Sequence, residues 1–225
     1  MIYFDDMSRN VAIAPGEYYH IYNRGTDKRN IFLTKGDYAR LLSLLYLAND
    51  AAPVDIKLQA PTLGDALSLP RTDTLVDLCA YVLMPNHFHL LIREKSEGGI
   101  SKFMQKVSTG YTMYFNKRVE RTGALFQGRY KASHVSKDEY LKYLISYIHL
   151  NPIKLLEPSW KENGIQDAKG AEAYLEQYSY SSFLDFMGRT RVENSILEPS
   201  ALPDYFDSVF DFKTCVREWL NYKAI

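Results

Sequence analysis

Two histidines and one tyrosine carry the chemistry this sequence can offer. His87 and His89 flank a single apolar residue in the run YVLMPNHFHLLIR, Tyr81–Arg93. An apolar run entered through Pro85-Asn86 reads as a turn into a strand, and alternate strand residues share a face. Both imidazoles then project together, with Phe88 and Leu90 on the opposite face, and form half of a divalent-metal site. Two strand-end histidines without a ligand fit the same pattern. A second constellation lies downstream. Tyr140, Tyr143, Tyr147 and Asn151 follow at spacings of three, four and four, along one face of a helix. The side-chain oxygen of Asn151 is a reasonable third ligand, and three protein ligands leave positions open for substrate. A phenol is a poor nucleophile at neutral pH unless activated. A metal that withdraws charge from a phosphate would give Tyr147 a suitable electrophile. The competing reading is a half-buried tyrosine and an asparagine that merely closes a helix before Pro152.

The elements that must position these groups can be read in order. Tyr18–Asn23 is rich in strand formers, and Arg24–Asp27 is a turn. A helix runs from Lys35 to about Asn49, with the stripe Leu41, Leu42, Leu44 and Leu45. Ala51–Thr74 holds Pro53, Pro61, Gly64 and Pro70 and reads as a long loop or insertion. Val76–Leu83 and His87–Arg93 form an antiparallel hairpin. A second helix, Ile100–Arg118, is capped by Ser101 and places Phe103, Val107, Tyr111 and Tyr114 at helical spacing. Gln127–Val135 is a fourth strand. Ser136 then caps a third helix, Lys137–Leu150, in which Leu141, Leu144, Ile145 and Ile148 form the packing stripe. This helix ends at Asn151, since the residue before proline disfavours helical geometry. The order β-α-β-β-α-β plus a helix is that of an α+β ferredoxin-like sandwich with an appended helix. Residues 1–156 would form this domain, with the insertion at about 51–74. Residues 157–225 would form a mainly helical extension, including Tyr178–Met187 and Phe212–Lys223, that packs on the core or contributes to substrate binding.

Composition narrows the classes. In 225 residues, 46% are apolar, 18 are tyrosines and the formal charge is zero, as in an ordinary soluble protein. Two cysteines give no disulfide framework, and Cys79 reads as a buried thiol. The lead-in, residues 1–15, lacks the pattern of a secretory signal, and Leu41–Ala48 is too short to span a bilayer. A cytoplasmic protein is expected. The charge is unevenly spread: Ile100–Lys137 holds eight basic residues, Lys102, Lys106, Lys117, Arg118, Arg121, Arg129, Lys131 and Lys137, against one acid, Glu120. Such a field, interleaved with Tyr111, Tyr114, Phe115 and Tyr130, suits phosphate contacts and base stacking. A solvated helix face is the alternative.

Four separated segments, YHIYNRG, PNHFHLL, FQGRYKASHV and YLKYLISYIHLNPIK, resemble the single-tyrosine HUH transposases of insertion sequences, and among them the REP-associated tyrosine transposases. The likeness runs from about Tyr18 to Lys154, and YSYSSFLDFMG is similar to the family's C-terminal segment. The resemblance implies the ferredoxin-like fold, His87 and His89 as the metal pair, Asn151 as the residue completing the site, and Tyr147 as nucleophile. It also implies Mg²⁺ or Mn²⁺, a single-stranded DNA hairpin as substrate, and cleavage and rejoining through a 5′-phosphotyrosine link. Arg24, Lys117, Arg118, Arg129 and Lys131 are the candidate DNA contacts. Monomer and homodimer, with the tyrosine helix acting in its own subunit or its partner, both stay open. Two other functions fit the residues. One is a non-catalytic single-stranded nucleic-acid-binding module, with the histidines incidental. The other is a metal-dependent hydrolase that uses water, with Tyr147 structural.

Overall fold

The computed structural model describes residues 12–52, 62–206 and 208–220. Most of the lead-in, part of the 51–74 segment and the last residues of Phe212–Lys223 therefore lie outside the described residues.

Four strands, β1 (Tyr18–Arg24), β2 (Val76–Met84), β3 (His87–Glu94) and β4 (Lys131–Val135), form one sheet in the order β2-β3-β1-β4. Every neighbouring pair is antiparallel. This is the ferredoxin-like arrangement expected from the element order. The β2–β3 hairpin turns through Pro85-Asn86 alone, with Met84 opposite His87. A bulge between Leu78 and Ala80 inserts one extra residue into β2. It shifts the in–out alternation by one position, so Leu78 and Tyr81 serve one face while Ala80 and Val82 serve the other.

Each face of the sheet carries its own core. On the first, Ile21, Tyr81, Phe88, Leu90 and Ile92 pack under α1 (Lys35–Leu47) and α3 (Gly99–Arg118). The leucine stripe of α1 and Phe103, Val107 and Tyr111 of α3 are buried there, as their helical spacing requires. On the second, Val82, Met84 and Leu91 meet Leu141, Leu144, Ile145 and Ile148 of α4 (Asp138–Leu150). Burying each such aliphatic side chain stabilises by roughly 1.5–3 kcal/mol.

Several local expectations are corrected. The 51–74 segment is not all loop: Leu63–Ser68 is a short helix, α2, started by a reciprocal Thr62–Asp65 capping box. Ser101 does not cap α3. That role falls to the buried Glu94 at the end of β3, whose carboxylate accepts from Gly99 N at 2.9 Å and Ile100 N at 2.7 Å. Two otherwise orphaned amides are satisfied, and a negative charge sits at the positive end of the helix. Ser136 lies one residue outside α4, whose cap position is Lys137. Asn151 keeps helical dihedrals (φ −53°, ψ −39°) despite Pro152, and the chain runs on as a 3₁₀ turn, Asn151–Leu155. The proline ring occupies the first turn of that element, where its missing N–H costs nothing. The fourth strand begins at Lys131 rather than Gln127, because Gly128 turns the chain at φ 79°.

Beyond α4 come α5 (Trp160–Asn163), α6 (Ala168–Leu175), α7 (Phe183–Phe186) and α8 (Val209–Leu220). The expected helix over Tyr178–Met187 is only the α7 turn, since the preceding residues serve as an edge. Tyr180 O accepts from Leu83 N, and Ser182 N donates to Tyr81 O. They cover the outer edge of β2, which would otherwise present unpaired backbone groups. Trp160, Leu175, Phe183 and Phe212 complete the core around α4. Among the described residues no helix is long and apolar enough to cross a membrane. Cys79 is buried, and its thiol is pushed up to about 12 by that burial.

Candidate active site

The face of the sheet beneath α4 carries the histidines. Alternation puts His87 and His89 on that face, with ring centroids 5.1 Å apart. α4 lays Tyr147 across them in the same chain. The Tyr147 ring stands edge-on to His89, 5.6 Å between centroids. Tyr140 and Tyr143 continue the aromatic row along the helix, 6.1 Å apart, with Tyr143 6.0 Å from Tyr147. One turn on, Asn151 donates its Nδ2 to Tyr147 O at 3.0 Å. Its Oδ1 is thereby left to face His87, whose protonated form it favours.

A third histidine joins the pair. His20 of β1 places Nε2 2.8 Å from Nδ1 of His89, in a buried contact with stacked rings. Neither this partner nor the role it plays follows from the sequence spacing. It arises because β3 pairs with β1, which sets Tyr22 directly opposite His89 and His20 one step along the same face.

The hydrogen bonds constrain the ring protons. Asn86 donates its Nδ2 to Lys28 O, so its Oδ1 faces His87 Nδ1 at 2.6 Å. An amide oxygen can only accept, so His87 carries its proton on Nδ1 and offers a lone pair at Nε2. His89 offers the same lone pair when its Nδ1–H donates to His20. Burial holds both imidazoles neutral. His87 is lowered to about 4 by burial, against a hydrogen bond with Asn151 that opposes the shift, and with Lys154, Arg24 and Lys161 adding to it. His89 is held well below its ordinary value by burial, then by His20 and His87. His20 is lowered to about 3 by burial and by Lys161. The charged side chains acting on His87 are all cationic, which suits an anionic substrate.

Among the described residues no group of three or more His, Cys, Asp or Glu side chains is placed to hold a metal. A cation here would depend on two imidazoles and the Asn151 amide oxygen. Neutral imidazoles with Nε2 lone pairs and an amide oxygen form a donor set that fits Mn²⁺ or Mg²⁺ with positions to spare.

The basic candidates divide by location. Arg24 pairs with His87 across β1 and β3 and donates to Gln127 Oε1 at 3.1 Å. Lys131 lies opposite Tyr22 on β4, and exposed Arg129 precedes that strand. Lys117 and Arg118 belong to α3, across the sheet from the histidines. Arg118 is spent on the fully buried Asp37, at 2.8 Å from both Nε and Nη2. The rival nucleophiles Tyr111 and Tyr114 are on that far side too. Tyr111 donates to Ile31 O at 2.5 Å, and Tyr114 to Asp37 Oδ1 at 3.2 Å. Lys161 of α5 has no signal in the sequence, because it lies in a stretch without periodicity. Its Nζ lies 3.0 Å from the Tyr147 hydroxyl and 4.2 Å from the ring centroid.

A ferredoxin-like sheet with a histidine–hydrophobe–histidine strand is thus crossed by a tyrosine-bearing helix. Residues 63–151, which include the hairpin and α4, match the family model described as "Transposase IS200 like". The fold is similar to a solved structure described as the REP-associated tyrosine transposase bound to a REP hairpin, with a TM-score of 0.51 and 11% identity over 84% of this chain and 90% of that one. No curated protein matches the chain by sequence. The chain is thus similar to the IS200-like, REP-associated tyrosine transposases in its site-bearing segment and its architecture.

Proposed function

We propose that the protein cleaves and rejoins single-stranded DNA beside a hairpin by transesterification, with Tyr147 as nucleophile. The observation that carries this reading is the meeting, in one chain, of a phenol with two neutral imidazoles, buried His89 and half-buried His87, under a cationic field. His87, His89 and Asn151 would hold Mg²⁺ or Mn²⁺, which when bound supplies Lewis-acid polarisation of the phosphate. Tyr147 attacks the phosphorus in line. The P–Oη bond forms, the P–O3′ bond breaks, the phenol proton passes to solvent and the 3′ oxygen takes one up. A 5′-phosphotyrosine and a free 3′-OH result. The covalent link conserves the phosphodiester energy, so another 3′-OH reverses the step without a nucleotide cofactor. Arg24 of β1, Lys131 of β4 and Arg129 before β4 would neutralise DNA phosphates. The similar transposase was solved bound to a REP hairpin, and a hairpin is the substrate proposed here.

The test is incubation with labelled hairpin oligonucleotides carrying randomised single-stranded flanks, with Mn²⁺, followed by a denaturing gel. A covalent adduct lost in Tyr147→Phe supports the reading. Cleavage that persists in Tyr147→Phe replaces it with a water-using hydrolase. Binding without cleavage replaces it with a nucleic-acid-binding module.

A further inference from the structure

Lys161 enters the site from outside the sheet and α4. The 3₁₀ turn after Asn151 leads to Trp160, whose indole is packed into the core around α4. Glu157 ties the following loop by accepting from Gln166 N at 2.8 Å and Asp167 N at 3.1 Å. With Trp160 anchored, the next residue lies beside α4, and its ammonium donates to the Tyr147 hydroxyl at 3.0 Å. An ammonium has donors and no acceptor, so in this contact the phenol oxygen accepts. The phenol's own proton therefore points away from Lys161 and leaves in another direction.

We infer that Lys161 is a catalytic residue, supplied by the segment beyond the transposase-family match, that stabilises negative charge on the Tyr147 oxygen as it attacks phosphorus and again as it departs. The inference rests on the transesterification reading above. Lys161 keeps its proton throughout. In cleavage the phenol proton goes to solvent as P–Oη forms and P–O3′ breaks. In rejoining the incoming 3′-OH gives up its proton, P–O3′ forms, P–Oη breaks and the phenolate leaves beside the ammonium. A fixed donor aimed at a developing oxyanion contributes most when it needs no reorganisation. Lys161 is exposed as a residue, so solvent screens part of the effect. The expected loss on its removal is about 10- to 100-fold, below that of a buried oxyanion donor.

The experiment compares wild type, Lys161→Gln, Lys161→Arg and Tyr147→Phe on the hairpin oligonucleotide pool with Mn²⁺. Single-turnover adduct formation and its reversal by an added 3′-OH strand are followed, with DNA affinity from fluorescence anisotropy and folding from thermal melting. Lys161→Gln is expected to slow both directions by the same factor at saturating DNA and to leave affinity within about twofold. Lys161→Arg restores part of the rate because it keeps the charge. Wild-type rates in both directions in Lys161→Gln overturn the inference while leaving the transesterase intact. Weakened DNA binding with an unchanged saturating rate also overturns it, by making Lys161 a DNA contact. If wild type forms no adduct at all, the proposed function fails first and the role of Lys161 with it.

Discussion

Replacing His20 by alanine tests the donor set where it is most exposed to contradiction. His20 accepts the Nδ1–H of His89 in the tautomer that leaves His89 Nε2 available, and the contact is 2.8 Å long and buried. Without that acceptor His89 is no longer held in the ligating tautomer, and its ring loses the stacked neighbour that fixes it. Loss of such an outer partner lowers metal affinity by about 10- to 100-fold, or roughly 1.4–2.7 kcal/mol. His20 is only 1% exposed, so truncation also leaves a cavity, and a few kcal/mol of stability should go with it. The two effects separate by calorimetric titration of Mn²⁺ into protein shown to be folded, with His20→Asn returning an acceptor to the same position. Expected are weaker binding in His20→Ala, partial recovery in His20→Asn and none in His89→Ala. Wild-type Mn²⁺ affinity in folded His20→Ala would refute the tautomer assignment, and undiminished affinity in His89→Ala would remove the metal site itself.

The pH dependence of Mn²⁺ binding follows from burial. Because His87 titrates at about 4 and His89 also lies well below its ordinary value, affinity should stay level from pH 7 to about 5 and fall only towards pH 4, whereas loss beginning near the ordinary histidine value of about 6.5 would mean exposed rings. Arg118→Ala should cost about 1–3 kcal/mol in urea unfolding, because it takes the cation from the fully buried Asp37 and leaves it the hydrogen bonds from Leu33 N, Thr34 N and Tyr114 Oη; Lys117→Ala, on the exposed surface beside it, should stay within about 0.5 kcal/mol. If Arg118→Ala is as stable as wild type, Asp37 does not need its partner. His149 is fully buried, hydrogen-bonded to Ser182 Oγ at 2.8 Å, and lowered to about 3 by burial. The unfolded chain takes up its proton near pH 6.5 while the folded one does not, so the stability it contributes is present above about 6.5 and is lost as pH falls towards 3. Unfolding free energy measured between pH 6 and 4 should fall by up to about 1.4 kcal/mol per unit for this residue, and His149→Asn should flatten the slope; an unchanged slope would show that another group is responsible.

The parts legible in the sequence are those whose physics is local. Period-two alternation fixed the common face of His87 and His89, and the short interval Met84–Asn86 fixed the hairpin, whose turn narrows to Pro85-Asn86 because Met84 pairs with His87. Helical spacing placed Tyr140, Tyr143, Tyr147 and Asn151 in one row and Leu141, Leu144, Ile145 and Ile148 against the sheet. Tertiary structure decided what those rows meet. His20 reaches His89 across 69 residues because β1 inserts between β3 and β4, and nothing in YHIYNRG announces that neighbour. Arg118 reads as part of a DNA-binding field until Asp37, 81 residues away, claims its guanidinium. Lys161 reaches Tyr147 only because Trp160 finds a place in the core around α4. Periodicity reports which way a side chain points from its own element. Which charge or ring it finds there depends on strand register and on how separate elements pack, and those are properties of the assembled chain.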